Sequence, residues 1–329
     1  WKDGSLSSRP GQEYVYNTAE DESELGDFCA CYEREWLSGY VIAHKGTKLY
    51  KIDITTGEHT ALLTGLTESN GSFFVYGDKL YYMNRHEYVQ ITTAGVASFV
   101  EPYIPIIAMN RNPAGYGGDL YQPENRIAAG KEVWFTADGT SKDYHLPYTD
   151  LDATPALTAN VNGTAMTEGS GFTVNRTTGV VTFTTAPTQS SPEVPNNVKI
   201  VCYKSDSATM ESVLACQVVT VFGEQGVQIV VCGGTPAQPN AYFWSGNHSF
   251  MDPTYFPVDN FNLAGANAAE YITGFGRQQS MLIIFKERSI GKAQLSVATV
   301  NEREVVNLPY YPINDNTGCD LPKSIRLIK

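Results

Sequence analysis

Paired carboxylates are the first residues in this chain that could do chemistry: Asp150 with Asp152, and Asp252 with Asp259. Two carboxyl groups held close with separated pKa values can protonate a leaving group and stabilise the cation it leaves, which is glycoside-hydrolase chemistry. Against that reading, Asp252-Pro253 is ordinary turn initiation, no S-x-D-x-G-x-T-W box accompanies either pair, and all four read as turn or cap carboxylates. His44, His59, His86, His145 and His248 are isolated, without the H-x-H or H-E-x-x-H spacing that aims two ring nitrogens at one metal, and read as surface or hairpin residues. The six cysteines (Cys29, Cys31, Cys202, Cys216, Cys232, Cys319) form no C-x-x-C knuckle and read as reduced core thiols; Cys29 and Cys31 would share one face of a strand. Asn314 to Asp320 offers hard oxygen donors for calcium but lacks the closing Glu of an EF-hand loop. No nucleophile elbow, Walker loop or strand-coupled G-x-G-x-x-G occurs. The sequence therefore assigns no catalytic, cofactor-binding or metal residue, and predicts a protein that is not an enzyme and carries no cofactor. What remains is a binding chemistry: Trp134, Tyr144 or Tyr148 could stack on a pyranose face, beside Asn or Asp side chains that hydrogen-bond its hydroxyls.

The sequons at Asn70, Asn162, Asn175 and Asn247 read as chance patterns in an Asn- and Thr-rich chain, and Glu20 to Glu24 as a solvated acidic loop. The 329 residues carry 23 basic against 35 acidic side chains, a net charge of −12, with no local basic patch, so general nucleic-acid binding is not expected. A 42% hydrophobic and 18% charged composition is that of a folded chain. No run of apolar residues is long enough to cross a bilayer as a helix, and the start lacks signal-peptide character, so neither membrane insertion nor secretion is expected. The chain begins without Met and ends on the strand-like Ile325-Arg326-Leu327-Ile328-Lys329, which points to an excerpt of a longer polypeptide.

The elements that would position these residues are strands. Apolar runs of four to seven residues alternate with Gly, Asn, Asp and Pro, and long helical periodicity is missing. Tyr40 to His44, a Gly46-containing turn and Lys48 to Ile54 make a hairpin, with His59 to Leu63 as a third strand. Gly77-Asp78-Lys79-Leu80-Tyr81-Tyr82-Met83-Asn84 repeats Gly46-Thr47-Lys48-Leu49-Tyr50-Lys51-Ile52-Asp53 after 31 residues, preceded by Phe73 to Tyr76 as its partner. A short meander recurring at such a period points to a β-propeller, and two similar hairpins sharing one sandwich is the alternative. Residues 109 to 130 lapse into loop composition, which marks a boundary or an interaction surface. From Lys131 to about Ser205 the strands are short and rich in Thr, Val and Asn, as in a small β-sandwich; the earlier strand type then resumes with Val213 to Phe222, Val227 to Cys232, Ala241 to Trp244 and Met281 to Phe285. The predicted fold is all-β: a propeller-like repeat domain (1–130 and 206–329) interrupted by an inserted sandwich (131–205).

Particular stretches carry a family resemblance. Lys2-Asp3-Gly4-Ser5-Leu6-Ser7-Ser8-Arg9-Pro10-Gly11 resembles the lead-in to the first blade of propeller-type structural proteins of tailed bacteriophages. Tyr242 to Gly246, Asp252 to Pro257, Thr273 to Arg277 and Leu282 to Ile290 are similar to the same group, known as packaged-DNA stabilisation or tail hub proteins. Val161-Asn162-Gly163, Phe172 to Asn175 and Thr178 to Pro187 resemble small β modules of phage tail proteins. The resemblance implies a virion structural protein at the head-tail junction or tail hub, acting by assembly with copies of itself and with other tail or portal proteins. It would reside in the virion, and in the host cytoplasm during assembly. The alternative is an adhesion module that recognises bacterial surface glycan through the inserted sandwich.

Overall fold

The computed structural model describes residues 30–33, 39–224, 227–247, 251–300, 303–321 and 325, with the side chains of 30–33, 298–300 and 303–304 left aside. Lys2 to Gly11, Glu20 to Glu24, Cys29 and His248 lie outside the described residues. The chain divides into two compact units, at Phe99 and Val100.

The first unit holds two four-stranded antiparallel meanders. One is β1 (Ala30–Glu33), β2 (Tyr40–Lys45), β3 (Lys48–Asp53) and β4 (His59–Thr64); the other is β5 (Ser72–Tyr76), β6 (Lys79–Met83), β7 (Tyr88–Ile91) and β8 (Ala97–Phe99), each in sequential order. The repeat read from the sequence is the β2–β3 hairpin against the β5–β6 hairpin. Gly46 and Gly77 open the two-residue loops at φ +54° and +60°, as Gly-X loops of type II′ require. At the far end of each copy an Asx turn reverses the chain: Asp53 Oδ1 accepts from the amides of Thr55 and Thr56, and Asn84 Oδ1 from those of His86 and Glu87. The copies differ in place, however, because β2–β3 is the central hairpin of its sheet and β5–β6 the first of the other. Ile42, Leu49, Leu80, Tyr82, Val89 and Ile91 are buried together as one core.

The second unit begins with β9 (Ile106–Arg111), β10 (Asp119–Leu120), β11 (Gly130–Phe135), β12 (Asp143–His145), β13 (Thr158–Val161), β14 (Thr164–Thr167), β15 (Phe172–Asn175), β16 (Val180–Phe183) and β17 (Val198–Tyr203). These form a six-stranded sheet, β10-β9-β11-β17-β13-β14, and a three-stranded one, β12-β16-β15. Their facing sides share one core of Val133, Phe135, Tyr144, Phe172, Val181, Phe183, Val198 and Ile200, so the pair is a β-sandwich. Each such side chain taken fully out of water contributes about 1.5–3 kcal/mol. Strands β9 and β10 precede Lys131, so this sheet draws on residues from Ile106 onward.

The loop-like stretch before β11 is tied down. Asn125 donates from Nδ2 to the carbonyls of Tyr103 and Thr254 and accepts the amide of Phe256, while Tyr255 donates to the Pro123 carbonyl. One helix stands among the described residues, α1 (Ser207–Leu214), with Asp206 as its N-cap accepting from the Thr209 amide and hydroxyl. The expectation of a strand from Val213 is thereby corrected: that strand starts at Val218.

The remainder is β18 (Val218–Glu224), β19 (Val227–Gly233), β20 (Ala241–Trp244) and β21 (Phe261–Leu263) in one meander; β22 (Ile272–Gln278), β23 (Met281–Lys286) and β24 (Ile290–Gln294) joined by β27 (Tyr310–Asn314) in another; and the ribbon β25 (Ser296–Val300) with β26 (Arg303–Asn307) between them in sequence. Phe222, Ile229, Val231, Tyr242, Trp244, Leu282 and Ile284 share their core. The buried polar tips are satisfied: Tyr242 donates to the Leu308 carbonyl and Trp244 Nε1 to that of Val306. The described residues are all-β apart from α1.

Candidate functional site

The outer face of the six-stranded sheet carries a groove of about 740 Å³. Its floor follows from strict alternation along the strands. In β11, Val133 and Phe135 point into the sandwich core, which leaves Glu132 and Trp134 outside; in β17, Val198, Ile200 and Cys202 point in and Lys199 and Val201 out; in β13, Ala159 and Val161 point in and Thr158 and Asn160 out. Cross-strand register then lines up Trp134, Lys199, Asn160 and Ala165 in one row. Side-chain size falls along that row from indole to methyl. The β13–β14 turn, Asn162-Gly163 with φ of +50° and +83°, is a type I′ loop at the shallow end, and Glu193 to Asn197, tied to it by the bond from the Asn162 amide to the Asn197 carbonyl, complete the lining.

The polar groups of the groove are held in place. Trp134 Nε1 donates to Glu132 Oε1 at 2.8 Å, and Lys199 Nζ stands 4.0 Å from the indole centroid, a cation–π contact. Lys199 has no hydrogen-bond acceptor among the described residues. Asn160 accepts the Gly163 amide through Oδ1. Asn196 is locked to Asn110 by reciprocal bonds of 2.7 and 2.9 Å. At the rim, its own backbone N–H and the Ser191 hydroxyl hold the Glu193 carboxyl below the usual range. With an aromatic wall and both donors and acceptors to offer, the groove can bind a hydroxyl-rich ligand.

The three aromatic residues singled out in the sequence part company here. Trp134 lines the groove. Tyr144 is completely buried in the core, edge-on to Phe135 and Phe183 at 5.3 and 5.1 Å, so it cannot stack on a sugar; burial pushes its hydroxyl above the usual range. Tyr148 donates to Glu124 Oε1, and the same carboxylate lies 3.1 Å from the buried Lys131 ammonium. Glu132, Asn160 and Lys199, which strand alternation exposes, were not singled out by sequence reasoning.

None of the four aspartates lines the groove. Asp252 accepts the Thr254 amide and hydroxyl, Asp152 those of Ser205, Asp150 sits in a turn at φ +51°, and Asp259 is an exposed loop residue. Asn314 accepts the Asn316 amide. Cys202, Cys216 and Cys232 are buried, and burial pushes the Cys202 thiol up to about 12. His59, His86 and His145 are at least partly exposed, whereas His44 is a hairpin residue, buried in β2, with Nε2 2.9 Å from the Gly46 carbonyl and Nδ1 2.7 Å from the Tyr82 hydroxyl. A carbonyl can only accept, so Nε2 carries the proton and Nδ1 accepts from Tyr82. Burial lowers the His44 pKa.

No protein-family model matches the chain, and no curated protein does. Among solved structures, it is similar to the computationally designed Ika8 protein, at 10% identity over 89% of this chain and 85% of that one, with a TM-score of 0.22. It is also similar to the extracellular domain of the putative one component system BT4673 from B. thetaiotaomicron, at 12% identity over 78% of this chain and 39% of that one, with a TM-score of 0.17. At such scores neither bears on function.

Proposed function

We propose that this chain is a structural subunit of a tailed-bacteriophage virion, at the head-tail junction or tail hub, which acts by assembling with copies of itself and with tail or portal proteins. In this reading the four-stranded meanders are blade-like units of a propeller-like repeat domain and the sandwich is its insertion; no catalysis is involved. The observation that carries the reading is where large apolar side chains meet solvent. Phe99 on β8, Leu120 on β10, Phe261 and Leu263 on β21, and Tyr311 and Ile313 on β27 are 43–71% exposed, and each of these strands is the edge of its sheet. Large apolar side chains exposed on sheet edges are what an assembly interface uses. The resemblance of residues 242–246, 252–257, 273–277 and 282–290 to phage propeller proteins supports the same reading.

The test is the particle mass by light scattering over a concentration series. A multiple of the chain mass that falls when Ile313 and Phe261 are each replaced by Lys is the expected result. A strict monomer at every concentration overturns the self-assembly reading.

A further inference from the structure

We propose that the groove on the outer face of the sandwich is a binding site for a neutral oligosaccharide, with Trp134 as its apolar platform and Glu132, Lys199 and Asn160 as its hydrogen-bonding side chains. This goes beyond the assembly reading and does not rest on it.

The argument is one of matching chemistry. The floor belongs to β11, β17 and β13, which are interior strands paired on both sides, so their backbone groups are already used. A peptide strand would find no ladder to extend there, and recognition must run through side chains. Those side chains offer what a sugar ring needs: for its C–H face, the indole face that Lys199 does not cover, an ammonium with three donors and no acceptor among the described residues, the amide nitrogen of Asn160, and the Glu132 carboxylate, one of whose oxygens is engaged by Trp134. The groups are spaced by the sheet itself, along the Trp134–Lys199–Asn160 row. The indole is pinned by its bond to Glu132 and by the cation at its face, so little rotamer freedom remains to be lost on binding.

Charge selects among saccharides. The groove holds one lysine against two glutamates, Glu132 and Glu193, on a chain of net charge −12. An acidic sugar would meet a net negative wall, whereas vicinal hydroxyls can donate to the carboxylates and accept from Lys199 and Asn160 at once. A volume of about 740 Å³ lies within the roughly 300–1,000 Å³ of ligand clefts.

The test titrates the full chain by isothermal calorimetry with defined neutral tri- and tetrasaccharides built on glucose, galactose, mannose and N-acetylglucosamine, and with oligogalacturonate as the acidic arm. The expected result is saturable binding of at least one neutral member, weakened about tenfold or more by Trp134→Ala and by Lys199→Met, and by a smaller factor by Asn160→Ala. Lys199 points away from the core and its ammonium holds no hydrogen bond among the described residues, so Lys199→Met keeps the wild-type melting temperature even where Trp134→Ala does not; Asn160→Ala gives up the bond to the Gly163 amide and lowers it by a few degrees at most. Light-scattering mass is unchanged by all three, which separates this site from the assembly edges. The proposal is overturned by the absence of neutral-sugar binding, by binding that Lys199→Met and Trp134→Ala leave intact, or by binding confined to oligogalacturonate.

Discussion

Replacing Lys286 by Met gives a stability loss that depends on pH in a way the structure specifies. The Lys286 ammonium lies 2.9 Å from Glu270 Oε2, with side-chain exposures of 4% and 7%; Glu270 also accepts from the Arg288 amide and the Ser289 hydroxyl. Burial alone would push the Glu270 carboxyl up; the bonds from Lys286, Arg288 and Ser289 outweigh it and hold the group below its usual range. At 2.9 Å and an effective dielectric of about 20, the pair attracts by about 6 kcal/mol, roughly offset by the several kcal/mol lost in desolvating each ion. The pair itself is near break-even, but removing one partner leaves a buried charge, at about 3–5 kcal/mol. Protonation caps that loss. Neutralising a carboxyl of ordinary pKa, about 4.3, costs about 3.7 kcal/mol at pH 7 and only about 1 kcal/mol at pH 5. Lys286→Met should therefore destabilise by about 3–4 kcal/mol at pH 7 and by about 1 kcal/mol at pH 5. The signs agree: in the wild type the depressed Glu270 contributes stability above its unfolded pKa that is lost as pH falls through the lower folded pKa, while in the variant the raised pKa reverses the trend. Urea unfolding followed by circular dichroism at pH 5, 6 and 7 measures both. The double variant Glu270→Gln/Lys286→Met keeps an acceptor for Arg288 and Ser289 without a charge, and should return to within about 2 kcal/mol of wild type with no such pH dependence. A Lys286→Met loss that is the same at pH 5 and pH 7, or a double variant that merely adds the two single losses, refutes the reasoning.

Gly46 and Gly77 have open space where a Cβ would stand, so only their positive φ resists substitution; Ala at either should cost about 1–2 kcal/mol and Asn less, as read from thermal melting. His44 is held neutral by burial, so its contribution is present above the unfolded pKa of about 6.5 and is lost as pH falls through the lower folded value. Stability of the wild type should fall between pH 7 and pH 5 more steeply than that of His44→Gln, measured by urea unfolding across that range.

How far the sequence could be read depended on the range of the interactions involved. The all-β character and the repeated hairpin are local: Gly46 and Gly77 fix their loops, and Asp53 and Asn84 their Asx turns, each within four residues. The helix at Ser207 is also local, but its eight residues are too few to display a period and only Asp206 announces it. The phase of a strand is legible when the strand is long enough. Six residues in β17 separate Lys199 from the inward Ile200, whereas the three of β12 cannot say that Tyr144 faces the core. His44 lies in a stretch buried on both faces, so alternation gives no warning of it. The groove depends on β17 lying between β11 and β13, a pairing across 37 residues or more that no local signal encodes.

That strand order also bears on how the protein is made. Emerging from a ribosome, β11 can pair at once with β9, but its other edge, and the free edge of β13, wait for β17 to be synthesised. Until residue 203 is out, the six-stranded sheet is two separate pieces with an unfilled slot between them, and the row that joins Trp134 to Asn160 has no middle. Closure is a single late event of long sequence separation, slow by its loop entropy. The slot is the right width for any strand, including one from a neighbouring nascent chain on the same message, so crowding of ribosomes would favour exchange of β17 between copies.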